Sequence, residues 1–419
     1  MGSSTRRVDR HSLMDPAIQA DPYAYYAALR EEAPVYRMPD TGAYLVSRYR
    51  DIQHVLAHPE IWSIDLLGRA GFSMFQHAAA REVLEQNGFA RNTRLSTDPP
   101  AHRSYRSLVD VSFTAGRVRQ SAPFVQRVVD ELCGDLLRER ECEFVSRFAS
   151  PLPVRVIAER LGLPECDVPR LKAWSDAWIE PLGMGCSEAR EIEIAWQGVA
   201  LQRYLAQKFE EKRRAPAEDI LSDLAAARLP DGSPLPEADR MGLAEHILVG
   251  GHETVTSALA SGVWLLIRQP ELVAALRREP ALVRNFCEEV LRLESPSQGF
   301  FRVALEDAEL RGVRIPKGSM VHLRFAAANR DPDQFPDPDR LDLRRPNAGA
   351  HLAFSQGAHH CLGAPLARQE LATAFRALVE RFDALCLAPG AAIRHVPGLS
   401  LRSLAELRIA YAPRSGQGG

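Results

Sequence analysis

The sequence predicts a mainly α-helical fold with a minor β portion (α+β), organised as a single domain over residues 1–419. Three observations carry this reading. Apolar residues recur at helical spacing through most of 102–228 and again through 237–293. Short strand-like runs bounded by turn residues fall at 35–47 and 300–323. Nothing resembling an interdomain linker separates these parts, and 46% apolar residues over 419 positions can bury one large core. Only the ends, 1–12 and 415–419, are expected to be flexible.

The elements follow in order. A helix is expected over 22–32, then strands over Val35–Met38 and Ala43–Ser47, turned at Pro39-Asp40-Thr41-Gly42. The helical region 102–228 is punctuated by prolines at 123, 151, 153, 164, 169 and 181. Leu229–Pro236 is rich in Pro, Gly, Asp and Ser and reads as a loop. A long helix then covers Glu237–Arg268, stopped by Pro270, with two more over Pro270–Arg278 and Pro280–Leu293. Phe325–Gln356 is long and irregular, and such a loop in a compact domain is usually functional. The last strong helix begins just after Cys361 and carries Leu366, Leu371, Phe375, Leu378 and Phe382 at helical spacing.

Charge and cysteine content narrow the function classes. Fifty-two Lys and Arg nearly balance 54 Asp and Glu, leaving a formal charge of −2, which gives no reason to expect a nucleic acid or an anionic membrane as partner. No run of eighteen apolar residues occurs and Met1–Ser12 is polar, so neither a membrane anchor nor a secretory signal is expected, and a cytoplasmic location is. Seven cysteines, with no Cys-x-x-Cys pair, suit neither a disulfide framework nor a zinc ribbon. Six are read as plain buried residues; Cys361 is set apart by its surroundings.

Cys361 sits in Phe354-Ser355-Gln356-Gly357-Ala358-His359-His360-Cys361-Leu362-Gly363. The two bracketing glycines allow a tight turn and close approach of a flat ligand. Pro365 helps to start the following helix, whose N-terminus favours an anion and offers N–H groups to sulfur. That combination stabilises a thiolate, the form that binds haem iron. By itself it would equally suit a buried free cysteine, and His359, His360 and Cys361 cannot all face one zinc ion because they are consecutive.

Three further segments carry chemistry-bearing residues. Gly250-Gly251-His252-Glu253-Thr254 lies mid-helix, where each glycine costs roughly 1 kcal/mol and so points to a distortion or a close approach. The acid and hydroxyl that follow suit proton transfer to a bound oxygen species, although a small-residue helix crossing with Glu253 solvated would look the same. Glu289 and Arg292 are three apart and can pair, with Arg340 more distant. His102 and Arg106 follow Asp98-Pro99-Pro100 and share a helix face, where two donors can clamp carboxylates; alone, they would read as an exposed polar face.

In this order the four segments resemble the cytochrome P-450 family over nearly the whole chain. The cysteine loop is similar to the signature Phe-Gly-x-Gly-x-His-x-Cys-x-Gly and continues as Ala-Pro-Leu-Ala-Arg-Gln-Glu, as in bacterial members; Ser355 stands in place of the first signature glycine. The resemblance implies the P-450 fold, with haem b (iron protoporphyrin IX) between the long central helix and the cysteine-bearing helix. It makes Cys361 the iron ligand, and Phe354, Gly363, His359, His102, Arg106 and Arg302 haem contacts, the last four toward the propionates. It makes Thr254 and Glu253 the oxygen-activating pair, with Val255 where a second threonine is frequent. Glu289, Arg292 and Arg340 become a structural triad. Ala328-Asn329-Arg330-Asp331-Pro332 and Phe335-Pro336-Asp337-Pro338-Asp339-Arg340 are further family phrases.

The implied activity is monooxygenation: one atom of O2 enters a C–H or double bond of a hydrophobic small molecule, while the other leaves as water after two electrons and two protons arrive. No flavin or iron–sulfur module is evident in the chain, so ferredoxin and an NAD(P)H-dependent ferredoxin reductase are the expected donors, with Arg368 and Arg376 as candidate docking residues. Substrate contacts are expected from Gly250, Leu248, Phe300, Phe301 and Phe72, among a wider apolar set of Ile64, Leu66, Leu67, Phe75, Trp174 and Trp178. A haem-thiolate peroxygenase or isomerase, or a haem-binding sensor without turnover, would share the cysteine loop; the intact Glu253–Thr254 pair argues for the monooxygenase.

Overall fold

The apolar spacing becomes buried helix faces, and these faces build most of the molecule. The computed structural model describes residues 6–70, 73–89, 94–183 and 186–414. The largest apolar cluster joins the helices Ala122–Leu136, Pro151–Leu161, Glu188–Arg214, Glu237–Gly250, Glu253–Arg268, Leu282–Glu294 and Ala364–Arg381. Helix starts follow local chemistry: Ser187 and Asp219 accept hydrogen bonds from backbone N–H groups as N-caps, and Pro365 occupies the first turn of Ala364–Arg381.

The β portion packs to one side of this helical mass. Its five-stranded sheet runs in the order Val35–Arg37, Tyr44–Val46, Met320–Leu323, Phe300–Ala304, Trp62–Ser63. Tyr44–Val46 pairs with Met320–Leu323 in parallel, and the other neighbours are antiparallel. The first two strands are the hairpin expected from sequence, and Gly42 at its turn has φ 73°, a left-handed value that favours glycine. A three-stranded sheet, Glu141–Glu143, Arg408–Pro413 and Phe382–Leu387, ties the C-terminus back to the helices.

Two expectations need correction. Residues 6–12 are not loose: Arg7–Arg10 forms a short 3-10 turn, Val8 and Leu13 are buried against Tyr25 and Leu29, and Arg7 is ion-paired with Glu31 and Glu32. Residues 1–5 and 415–419 lie outside the described residues. Of the six remaining cysteines, Cys133, Cys142 and Cys287 are buried, whereas Cys166 and Cys386 are exposed and Cys186 is half-buried. Among the described residues, no single helix is long and apolar enough to cross a membrane.

The long central helix positions the site, and it is broken. It runs as Glu237–Gly250 and Glu253–Arg268, interrupted at Gly251 and His252. A Cβ on Gly251 would stand 2.6 Å from Ile157 Cγ1 and 2.8 Å from the Ile247 carbonyl oxygen, so the interruption is packed hard against Pro151–Leu161. A Cβ on Gly250 would meet nothing within 4 Å. One glycine is there for contact, the other borders free space. Further along, a Cβ on Gly262 would overlap the Phe375 ring at 2.2 Å, so the central helix crosses the cysteine helix closely at that point.

Candidate active site

Cys361 lies in a loop whose backbone is turned twice through the left-handed region, at Ser355 (φ 56°) and Gly357 (φ 73°). Its N–H donates to the Phe354 carbonyl at 2.8 Å, and Gly363 then caps Ala364–Arg381. Protein surrounds the sulfur, yet the side chain faces free space rather than a packed neighbour. Burial pushes its thiol pKa up; the N–H groups of Gly363 and Ala364 and the charges of Arg106 and Arg368 oppose that shift. A Cβ on Gly363 would also meet nothing within 4 Å, so the loop presents sulfur and bare backbone to the same kind of opening.

Around this loop gather cationic and hydrogen-bonding groups, among them the imidazoles of His102 and His359 and the guanidinium groups of Arg106 and Arg302. The helix Ala101–Asp110 buries His102, whose ring centroid is 4.0 Å from that of His359. Burial lowers the pKa of both imidazoles, that of His359 to about 3, and His359 Nε2 is buried without a hydrogen-bond partner. Arg302 is 3% exposed, and its guanidinium donates to the Phe301 carbonyl at 2.8 Å. Burial pulls the Arg302 pKa down to about 10, with Asp98 opposing. A small cavity joins Arg302, His359, Asp98, Trp62 and Ile64. Arg106 reaches the His360 carbonyl at 2.8 Å and Asp110 at 2.7 Å. A buried arginine and an orphaned buried imidazole around one opening are expensive unless an anionic ligand completes them. They fit haem propionates, and the open sulfur beside bare glycine backbone fits a flat iron-bearing ring.

Chains with this arrangement are known. The Cytochrome P450 family model matches residues 189–395. The cytochrome P450 monooxygenase PikC of Streptomyces venezuelae is 36% identical over 94% of this chain and 91% of its own length. This chain belongs to the cytochrome P450 family. The mycinamicin IV hydroxylase/epoxidase of Micromonospora griseorubida is also 36% identical, over 92% of this chain and 94% of its own. The structure of cytochrome P450 CYP109Q5 from Chondromyces apiculatus superposes with a TM-score of 0.85 at 31% identity, covering 96% and 98% of the two chains. The fold is therefore the single-domain P450 fold, in which haem b lies between the long central helix and the cysteine helix. The chain is an oxidoreductase of the haem-thiolate monooxygenase class, using a substrate, O2 and redox partners.

Between residues 239 and 263 of the central helix, the positions that are not buried, apart from Gly251 at the break, form one stripe: His246, Val249, Gly250, Glu253 and Thr254. Their spacing of three and four is that of a single helix face. Gly250, Glu253 and Thr254 thus share one face of the helix. Leu248, expected as a substrate contact, is 1% exposed within the apolar core, because two positions from Gly250 turn it about 200° away. His246 lies on the face that Leu248 does not share. Its shared phase with Gly250 and Glu253, four and seven positions on, was the sequence signal.

Strand periodicity sorts the other expected contacts. Phe300 and Arg302 share one face of Phe300–Ala304, and Phe300 is 49% exposed with its edge toward Phe325. Phe301 points to the opposite face, where it meets His322 at 4.2 Å between centroids and packs on the N-terminal apolar cluster. Phe301 is therefore half-buried against the core, on the face opposite Arg302. Phe72 lies outside the described residues. Phe75 and Trp178 pack on each other at 5.8 Å, and Trp174 packs on Tyr204 at 5.5 Å.

The triad is corrected at its third member. Arg292 donates to Glu289 at 2.6 and 3.0 Å, both residues fully buried. The second arginine on Glu289 is Arg345, at 3.1 Å, while the Arg340 side chain is exposed and only its carbonyl takes part. Arg368, expected at a docking surface, is held by Glu288 at 2.6 and 3.0 Å and lies over the Phe354 ring. Those contacts and His351 bring the Glu288 carboxyl down to about 2 despite its burial. Arg376 is exposed.

Proposed function

We propose that Cys361 holds the haem iron and that the chain inserts one oxygen atom of O2 into a hydrophobic small molecule, by hydroxylation or epoxidation. The observation that carries this reading is a cysteine enclosed by protein, open on its sulfur side and backed by two helix N-terminal N–H groups. Haem b, when bound, supplies oxygen activation and transfer to the substrate.

The chain's own residues supply binding and protons. His102, His359, Arg106 and Arg302 hold the propionates, which gives the buried Arg302 a hydrogen-bonding anion in addition to the charge of Asp98. Phe354 and Gly363 flank the ring. Glu253 and Thr254 stand on the open stripe of the central helix, where a carboxyl can pass a proton and a hydroxyl can hold it. His252 Nε2 lies 3.8 Å from the Asp176 carboxylate, and Asp176 is 45% exposed, so polar groups lead from the surface toward Glu253. The helix breaks at Gly251 and His252 and resumes with the His252 carbonyl accepting from the Thr256 N–H at 2.9 Å. Each turnover consumes two electrons and two protons and yields oxidised substrate and water.

A ferredoxin with its NAD(P)H-dependent reductase is the proposed electron source, and the cytoplasm the proposed location. The test is the absorption spectrum of the reduced protein with carbon monoxide. A strongly red-shifted Soret band, lost in Cys361→Ala, is expected. A band at the histidine-ligated position in both proteins overturns the ligand assignment. Substrate-dependent NAD(P)H consumption with generic redox partners then separates a monooxygenase from a haem-binding sensor.

A further inference from the structure

From residue 239 to 263 the central helix is buried almost throughout, apart from its one open stripe and the glycine at its break. Four stripe residues are accounted for: Val249 is apolar lining, Gly250 leaves room, and Glu253 with Thr254 handles protons. The fifth, His246, is not. Its imidazole is exposed to free space although protein surrounds it on every side, the same combination seen at Cys361. No hydrogen bond or ion pair engages it within the described residues, in contrast to His252, whose Nδ1 lies 3.2 Å from the Leu248 carbonyl oxygen.

An unpartnered polar ring costs free energy in an otherwise apolar enclosure unless something in that enclosure hydrogen-bonds to it. Among the described residues the chain offers no such group, so the ring is open to a partner from outside the chain. We infer that His246 is a specificity residue of the substrate chamber, selecting hydrophobic molecules that carry a neutral oxygen function (a ketone, ester, lactone or alcohol) over plain hydrocarbons. This deepens the monooxygenase reading and rests on it.

The charge state agrees with the class of ligand. Burial alone lowers the imidazole pKa, so near neutral pH the ring carries one N–H donor and one bare acceptor nitrogen. Such a ring matches a carbonyl or hydroxyl. It does not offset the cost of burying a carboxylate, which would need a cation. His246 also lies seven residues before Glu253 on the same face, roughly 10 Å along the axis at 1.5 Å per residue. A hydrogen bond there fixes the molecule at a distance from the proton-handling pair, leaving an apolar carbon to be oxidised.

The experiment is a spin-state titration of the haem-loaded enzyme with ketone and hydrocarbon pairs of matched skeleton, from cyclododecanone and cyclododecane up to steroid size. It compares wild type, His246→Leu and His246→Gln. In wild type at least one ketone should bind roughly three- to tenfold tighter than its hydrocarbon, the span of one net hydrogen bond. His246→Leu should bring that ratio to about one, and His246→Gln should restore part of it. A ratio unchanged in His246→Leu overturns the inference, as does a panel in which no ketone outbinds its hydrocarbon. A resting spectrum typical of a nitrogen-ligated iron, lost in His246→Leu, overturns it too by placing the ring on the metal. The carbon monoxide spectrum keeps the two readings apart. If it is normal and the ratio fails, only His246 is reassigned; if it is abnormal, the monooxygenase reading fails first.

Discussion

Arg345 donates from Nε to Glu289 Oε1 at 3.1 Å, and this contact joins the irregular Phe325–Gln356 segment to the helix Leu282–Glu294. Arg345 also binds the carbonyls of Pro336, Asp337 and Arg340, so one guanidinium organises ten residues of loop. The loop that follows ends at Cys361. The spacing of the cysteine from the helical core is thus set by a buried carboxylate with two arginines.

Removing Arg345 leaves Glu289 paired with Arg292 but takes away its second cation and the donor to three loop carbonyls, a loss of about 1–3 kcal/mol. Arg345→Ala is therefore expected to lose that order of stability, and with it haem retention. Arg340→Ala keeps its carbonyl and removes only an exposed side chain, so its effect should stay within about 0.5 kcal/mol. Chemical denaturation of the two variants side by side decides this. Equal losses would mean that the Arg340 side chain carries load that its exposure denies.

These two arginines also show what the sequence could and could not reveal. Glu289 and Arg292 are one helical turn apart, so their pairing is local and legible. Which loop arginine joins them depends on how an irregular segment folds back, and five residues of sequence separation carry no periodicity to settle it. The same contrast holds at the site. Cys361, Gly250 and Thr254 sit in helices or at a helix mouth, where residue spacing fixes direction. Leu248 was misplaced by reading the motif as a block rather than by helical phase, and Phe301 by ignoring strand alternation. Arg302 is expected at the site only through resemblance, because a single arginine on a strand looks like any other until its burial is known.

Ser355 holds a left-handed backbone, with its hydroxyl buried and without a hydrogen-bond partner. A non-glycine residue in that region costs about 1–2 kcal/mol, and the unsatisfied hydroxyl adds to it. Glycine removes both, at the expense of roughly 0.5–1 kcal/mol of extra chain entropy. Ser355→Gly should therefore stabilise the haem-loaded protein by about 1 kcal/mol and leave the carbon monoxide spectrum in place. A destabilised variant would show that the hydroxyl has a partner in the loaded protein.

The adjacent glycines of the central helix should respond in opposite ways. Gly251→Ala forces a methyl against Ile157 and the Ile247 carbonyl, an overpacking that typically costs about 1–3 kcal/mol. Gly250→Ala meets no atom within 4 Å, so stability should hold while the methyl enters the chamber and changes the affinity for hydrophobic ligands. Thermal unfolding paired with ligand titration separates the two. If Gly250→Ala proved the more damaging to stability, the free space assigned to that face would be wrong.

Thr254→Ala removes the hydroxyl that holds protons near the reacting centre. Electron consumption should continue, product should fall by about tenfold or more, and hydrogen peroxide should rise to account for the missing electrons. Product yield per NAD(P)H is the quantity to follow. An unchanged yield would remove Thr254 from the proton route and leave Glu253 alone in it.

Glu245 makes stability depend on pH in a direction opposite to most carboxylates. It is buried on the central helix, with one oxygen accepting from Gln202 at 2.9 Å, and burial raises its pKa from 4.5 to about 8. Below pH 4.5 the carboxyl is protonated in both the folded and unfolded chain. Between 4.5 and about 8 the unfolded chain releases the proton while the folded protein keeps it, so folding binds a proton and stability falls as pH rises. Above that window both states are ionised and the loss is complete. Each unit of pH inside the window costs at most about 1.4 kcal/mol, so the whole effect is of the order of a few kcal/mol. Glu245→Gln keeps an acceptor for Gln202 and cannot ionise. The variant should match wild type near pH 4.5 and become progressively the more stable of the two up to pH 8, in denaturation of the haem-loaded proteins. Parallel stability curves for the two would show that Glu245 ionises in the folded protein as it does in water, and that water reaches this face of the central helix.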